Sequence, residues 1–261
     1  MGGAPLKKFL LLVLISLSFP FLWKEWTQGF RVAKLLSSFP TDSGRGLQLP
    51  LHLFSTLSQR FKYLAKGAQS FVFESEDGEY VVKFLRSGKE KKIERFFNAC
   101  RLAYEELPEE TGVVYLHLAQ TGGTLPFFRG KDPLGRSFRL PLDSFYFIVQ
   151  KKGESFEGAL LRAKGDPDAM RRRFDQFFDL LERRTEKGIW NKDPSLKRNF
   201  GFLEDRAIEL DFGSYRTVDR LDRKGEIERY SRKFRKWLVK HAPESVHSFD
   251  ACLASRLSNL R

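Results

Sequence analysis

The chain has 261 residues, 41% of them hydrophobic and 30% charged. That composition is globular and long enough for one large domain or two small lobes, which excludes a disordered chain. A formal net charge of +13 points to acidic partners: nucleotides, anionic lipid headgroups, phosphosugars or nucleic acid. No aromatic-interleaved RNA signature and no zinc spacing is present, which argues against nucleic acid. Cys100 and Cys252 lie far apart with no CxxC and read as reduced, partly buried thiols. The 26 phenylalanines read as core mass.

Lys7 and Lys8 precede an apolar run from Phe9 to Trp23, interrupted only by Ser16, Ser18 and Pro20. The run is short for a membrane span and has no small-x-small cleavage site after it. Residues 1–34 therefore read as a signal-anchor or membrane-associated segment, with Trp23 and Trp26 at interfacial positions. A cleaved signal and a buried helix are the other readings. Cationic residues flank the run on both sides, so they set no orientation. Residues 35–57 read as a linker with a short helix from Leu51 to Leu57.

From Phe61 the pattern becomes strand-like. Phe71–Phe73 and Tyr80–Leu85 are strand runs joined by a turn carrying Asp77-Gly78. Before them, Lys66-Gly67-Ala68-Gln69-Ser70 is a polar turn. Residues 88–107 carry Ile93, Phe96, Phe97, Cys100, Tyr104 and Leu107 on one helical face. Residues 113–119 form a strand, 126–141 a hairpin or long loop, and 145–149 an apolar strand that breaks into Gln150-Lys151-Lys152-Gly153.

In the second half, Asp166 caps a helix with Pro167 in its first turn, and Lys187-Gly188 ends it. Met170, Phe174, Phe177, Phe178 and Leu181 share one face of that helix. The hairpin 199–203/207–211 turns at Glu204-Asp205. Residues 216–240 form a basic helix with an apolar stripe of Ile227, Tyr230, Phe234, Trp237 and Leu238. Its charged face is either solvated or suited to an anionic membrane or an acidic substrate. One last short helix covers 245–260.

The segment Asn191-Lys192-Asp193-Pro194-Ser195-Leu196-Lys197-Arg198-Asn199 is followed by Asp211-Phe212-Gly213. A helix, a loop holding Asp and Asn, a short hairpin and then Asp-Phe-Gly is similar to the catalytic segment of the protein-kinase-like superfamily, and the resemblance covers residues 58–261. It implies that Asp193 accepts the substrate hydroxyl proton or orients the nucleophile, that Asn199 binds one metal ion, and that Asp211 bridges metal to the phosphates. It also implies that Lys83 holds the nucleotide phosphates, that Glu105 positions Lys83, and that the turn with Gly67 and Gln69 covers the phosphates. Glu94 and Glu106 are the other helix carboxylates that suit the role given to Glu105. ATP and Mg²⁺ are the implied cofactors.

Asn191 stands where the family has His, and Asn199 follows Asp193 by six residues instead of five. The turn before Phe71 has one glycine where protein kinases carry three. Only 48 residues follow Gly213, with no long activation segment. The chain thus resembles the small-molecule, sugar and lipopolysaccharide kinases of the superfamily more than the Ser/Thr protein kinases.

The expected fold is α+β: a bilobal kinase-like fold with an antiparallel-sheet N-lobe at 58–152 and a reduced helical C-lobe at 153–261. The expected function is an ATP- and Mg²⁺-dependent phosphotransferase, membrane-associated, with its kinase lobes cytoplasmic if active. Its acceptor would be a hydroxyl on a saccharide, a lipid-linked sugar or a protein. The alternatives are a pseudokinase that binds nucleotide or scaffolds, and a basic membrane-surface protein without nucleotide function.

Overall fold

The computed structural model describes residues 23–37, 47–88, 90–122 and 125–260. The apolar run at Phe9–Trp23 lies outside them except for Trp23. Among the described residues no helix is long and apolar enough to cross a membrane.

The fold is α+β. In chain order its elements are α1 (Leu51–Leu57), β1 (Arg60–Lys66), β2 (Ser70–Ser75), β3 (Tyr80–Leu85), α2 (Glu90–Glu105), α3 (Pro108–Thr111), β4 (Val113–His117), β5 (Phe127–Lys131), β6 (Ser137–Pro141) and β7 (Phe147–Lys151). They continue with β8 (Glu154–Ser155), α4 (Phe156–Ala163), α5 (Pro167–Glu186), β9 (Ile189–Asn191), α6 (Leu196–Asn199), β10 (Phe200–Phe202), β11 (Ala207–Glu209), β12 (Tyr215–Thr217), α7 (Arg223–His241) and α8 (Val246–Asn259). The chain divides into two compact units. One comprises Met1–Ser87 with His117–Phe147, the other Gly88–Leu116 with Ile148–Arg261. The division places α2 and α3 with the second unit.

Within the first unit the strands run in the sheet order β3-β2-β1-β5-β6. β1, β2 and β3 form an antiparallel meander, as the turn at Asp77-Gly78 predicts. The sheet as a whole is mixed, not antiparallel, because β5 runs parallel to β1 with Phe61 opposite Gly130. A parallel neighbour needs a long crossover, and here the chain between β1 and β5 supplies one. It then returns as the antiparallel β5–β6 hairpin, so 126–141 is a hairpin.

Alternation along the strands collects rings on one face. Phe73 meets Phe84, Phe128 and Phe138 edge to face, with centroids 5.9, 5.4 and 5.7 Å away. Such pairs contribute roughly 0.5–1.5 kcal/mol each beyond area burial. Gly130 sits opposite Phe138 in the hairpin. A Cβ there would come 2.5 Å from the Phe138 ring and 2.7 Å from the Phe128 ring, so only glycine lets the two rings close over the strand.

Phe30 joins this core, 5.1 Å from Phe71 and 5.4 Å from Phe73. The strand-like piece after it is bound by backbone hydrogen bonds from Leu36 N to Leu85 O and from Tyr146 N to Leu36 O. The end of the stretch assigned to a membrane segment therefore packs on the sheet. Residues 51–57 form the short helix expected in the linker.

His117 is buried, stacked on Phe147 with centroids 4.9 Å apart, and its Nε2 lies 3.5 Å from Asp143 Oδ1. Burial lowers its pKa from 6.5, against the pull of Asp143. A histidine depressed in the folded state contributes stability that is complete above its unfolded value and lost as pH falls below it. Thermal melting from pH 7.5 to 5.5 is expected to show stability falling as pH drops below about 6.5, and His117→Phe should flatten that dependence.

The second unit packs α4, α5, α7 and α8 around one apolar cluster that includes Phe156, Phe174, Phe177, Phe178, Phe234 and Phe249. α5 starts where its sequence says: the Asp166 side chain accepts from Ala169 N at 2.9 Å, and Gly188 follows the helix end with a φ of +66°. α7 is capped in the same way by Asp222, which accepts from Gly225 N at 2.9 Å. Arg256 of α8 reaches Asp179 and Asp175 of α5 at 2.7 and 3.1 Å. Cys100 and Cys252 are both buried. Burial, with Asp175 beside it, pushes the Cys252 thiol up to about 11.

Candidate functional site

The segment from β9 to β12 lies wholly in the second unit and brings three of the predicted residues together. β9 leads into the loop and β12 returns beside it antiparallel, with Tyr215 opposite Asn191 and Arg216 opposite Trp190. The Arg216 guanidinium lies 4.2 Å from the Trp190 ring and that of Arg229 lies 5.4 Å from it, so two cations clasp the strand. α2 packs against β12.

The loop is held by its own polar side chains. Asn191 Oδ1 accepts from Asp193 N at 3.1 Å, and Asp193 Oδ1 accepts from Ser195 N at 3.0 Å. Asn199 Nδ2 donates to the Asp193 carbonyl at 3.0 Å, and the Tyr230 hydroxyl donates to the same oxygen at 3.4 Å. The six-residue spacing from Asp193 to Asn199 is absorbed by the single turn of α6. Asp193 is thereby fixed at both its backbone and its carboxylate, and it stays half-buried.

Asp211 arrives by the hairpin. β10 pairs with β11, Phe200 opposite Glu209, and Leu210 N donates to Asn199 O at 2.6 Å. That register sets Asn199 and Asp211 at the same end of the hairpin. The Asp211 carboxylate is exposed and accepts from Gly213 N at 3.1 Å, while Phe212 is buried. Asn191, in the position where the resembled family has His, donates from Nδ2 to the Asp211 carbonyl at 3.4 Å. One asparagine thus links the Asp193 loop to the Asp-Phe-Gly turn.

Beneath these residues lies a buried polar network that the sequence reading missed. Arg184 of α5 is completely buried and pairs through Nη1 with Glu209 and through Nη2 with Glu226 at 2.9 Å. Glu209 also accepts from the Tyr215 hydroxyl and from Asn191 Nδ2 at 3.4 Å. The Arg184 guanidinium lies 4.7 Å from the Tyr230 ring. Arg229 extends the network, donating to Asn191 O at 2.5 Å and to Glu226 Oε1 at 2.7 Å. Burial pushes the Glu209 carboxyl up, against the Arg184 charge beside it. The Tyr215 hydroxyl is raised well above its ordinary value by burial and by Glu209. A spacing signal existed, since Arg184 falls seven residues after Phe177 on the helical stripe that faces the core.

The other predicted residues are carried by other elements. Lys83 is half-buried on β3 of the first unit, opposite Val72, and the strand period sets it on the face away from Val82 and Phe84. Gly67 and Gln69 lie in the turn between β1 and β2. Gly67 N donates to Ser70 O at 2.9 Å, and Arg86 N donates to Gln69 O at 2.9 Å. Arg86 Nη1 donates to the Ala68 and Gly67 carbonyls at 3.2 and 3.4 Å. Glu105 is exposed at the end of α2 in the second unit, and its neighbour Glu106 pairs with Lys187 at 3.3 Å.

Among the described residues no group of three or more His, Cys, Asp or Glu could hold a metal ion. The donors at the hairpin end are one carboxylate and one amide. Hard oxygens in that small number suit Mg²⁺, which takes one or two carboxylates and completes its shell with water and substrate phosphates. No protein-family model matches the chain, and no curated protein matches it.

Proposed function

We propose that the second unit carries the catalytic segment of an ATP- and Mg²⁺-dependent phosphotransferase of the bilobal protein-kinase-like kind. The phosphoryl group goes to a hydroxyl on a saccharide, a lipid-linked sugar or a protein. The observation that carries this reading is the convergence of Asp193, Asn199 and Asp211 on one braced loop and hairpin, joined by Asn191. Asp193, tethered at Oδ1, accepts the proton of the acceptor hydroxyl. Asn199 and Asp211 would hold Mg²⁺ through their side-chain oxygens, and the ion would neutralise charge on the transferring group. Catalysis in this class is mostly placement and charge stabilisation, which suits a loop whose Asn191, Asp193 and Asn199 carbonyls are all hydrogen-bonded. Lys83, Glu105, Gly67 and Gln69 keep the nucleotide-binding roles that the resemblance implies, and the apolar run at Phe9–Trp23 supports membrane association.

Melting in Mg·ATP tests the proposal. Nucleotide at a hundredfold excess over its Kd stabilises by about 2.7 kcal/mol. At about 2–4 °C per kcal/mol that is a rise of several degrees. Asp211→Ala is expected to abolish the rise without lowering the melting temperature in buffer, because the Asp211 carboxylate is exposed. A wild-type protein that Mg·ATP does not stabilise overturns the reading.

A pseudokinase is the second reading, and the turn at Gly67 favours it. Its carbonyls face Arg86, and the Gly67 N–H is spent on Ser70, whereas a loop that cradles phosphate directs its N–H groups at the ligand. In that case Mg·ATP leaves the melting temperature unchanged and no turnover is seen.

A further inference from the structure

We infer that the groove beside Asp193 is the acceptor site and that the acceptor carries an anionic group, a phosphate or carboxylate, in addition to the hydroxyl it offers. This rests on the phosphotransferase reading. The groove has a volume of about 550 Å³ and lies wholly in the second unit between the Asp193 loop and α7. Its size is that of a pocket for a small organic ligand, room for a sugar of one or two rings. Its lining includes Asp193 together with Lys197, Arg198, Lys233, Lys236 and Lys240, five cations to one carboxylate.

The imbalance is local and directional. Lys233, Lys236 and Lys240 stand three and four residues apart on α7, so they share one face of the helix, and all three are exposed. The loop supplies the other two cations, of which Lys197 is held by Glu157 at 2.5 Å. Arg198 and the three α7 lysines remain to meet a ligand's charge beside the one carboxylate that the phosphotransferase reading makes the base. An anion held there places a neighbouring hydroxyl against Asp193. The wall also contains His241, half-buried and stacked on the buried Trp237 with centroids 4.9 Å apart.

Calorimetric titration of the full chain with glucose 6-phosphate, with glucose as the uncharged control, tests the inference. The expected result is binding of the phosphorylated sugar only, weakening as salt is raised. Lys233→Glu/Lys236→Glu should weaken it at least tenfold, and Lys233→Gln/Lys236→Gln should weaken it less. Both pairs replace exposed side chains, and melting curves check that each variant is folded. Equal binding of glucose, no binding by wild type, or binding that survives both double variants overturns the inference. Binding to phosphatidylglycerol vesicles without binding of glucose 6-phosphate also overturns it, by assigning the basic face to a lipid surface.

Mg·ATP melting of the same samples keeps the two proposals apart. Loss of sugar-phosphate binding with the nucleotide effect intact sinks the groove alone. Sugar-phosphate binding with no nucleotide effect in wild type sinks the phosphotransferase reading, and with it the acceptor role.

Discussion

Arg184→Met is expected to lower the stability of the protein by about 3–5 kcal/mol, the cost of removing one partner from a buried ion pair. Arg184 is the only cation in contact with Glu209 among the described contacts, and neither side chain reaches solvent. Glu226, almost as buried, shares the guanidinium at 2.9 Å. Arg229 still reaches Glu226 after the substitution, so the uncompensated charge falls on Glu209. Burial already holds the Glu209 carboxyl above its ordinary value of 4.5, and loss of Arg184 raises it further. An acid raised in the folded state loses stability as pH climbs from its unfolded value through its folded one. The variant should therefore lose more at pH 8 than at pH 5.

Urea denaturation at the two pH values reads both effects. Arg184→Met/Glu209→Gln should recover part of the loss, because it removes the stranded charge along with its partner. A loss below 1 kcal/mol that does not change with pH contradicts the pairing. The consequence reaches the site, since Glu209 also accepts from Asn191, and Asn191 holds both Asp193 N and the Asp211 carbonyl.

Asp193→Asn is expected to reduce phosphoryl transfer by about 10²–10⁴-fold, the usual contribution of a positioned general base. The substitution keeps an oxygen able to accept from Ser195 N, so the loop and the melting temperature should hold. Stabilisation by Mg·ATP should also persist, because Asn199 and Asp211, the proposed metal donors, are untouched. Asp211→Ala has the complementary effect, losing the nucleotide response and turnover together. Turnover of ATP in the presence of acceptor, measured beside melting, separates the two roles. Wild-type turnover in Asp193→Asn removes Asp193 from the chemistry.

Much of the fold and part of the site were legible from local signals. The Asp166 cap, the positive-φ Gly188, the apolar stripes of α5 and α7, and the hairpin around Glu204-Asp205 are all properties of a few adjacent residues. So is the order of Asp193, Asn199 and Asp211. Helical period, capping and turn chemistry act over one or two turns of chain, and a single sequence displays them directly.

What the tertiary structure decided is every relation between distant residues. Arg184 is one of five arginines on α5, and only packing shows it between Glu209 and Glu226. Asn191 looked like a missing histidine, and only the β9–β12 pairing and the hairpin register turn it into a link between two backbone segments. The parallel β1–β5 pairing made the sheet mixed, and the α7 lysines became one wall of a groove once the Asp193 loop lay beside them. The physical reason is the same in each case. Burial and pairing depend on which surfaces meet after long loops close, whereas the residues that start, stop and turn each element carry their instructions locally.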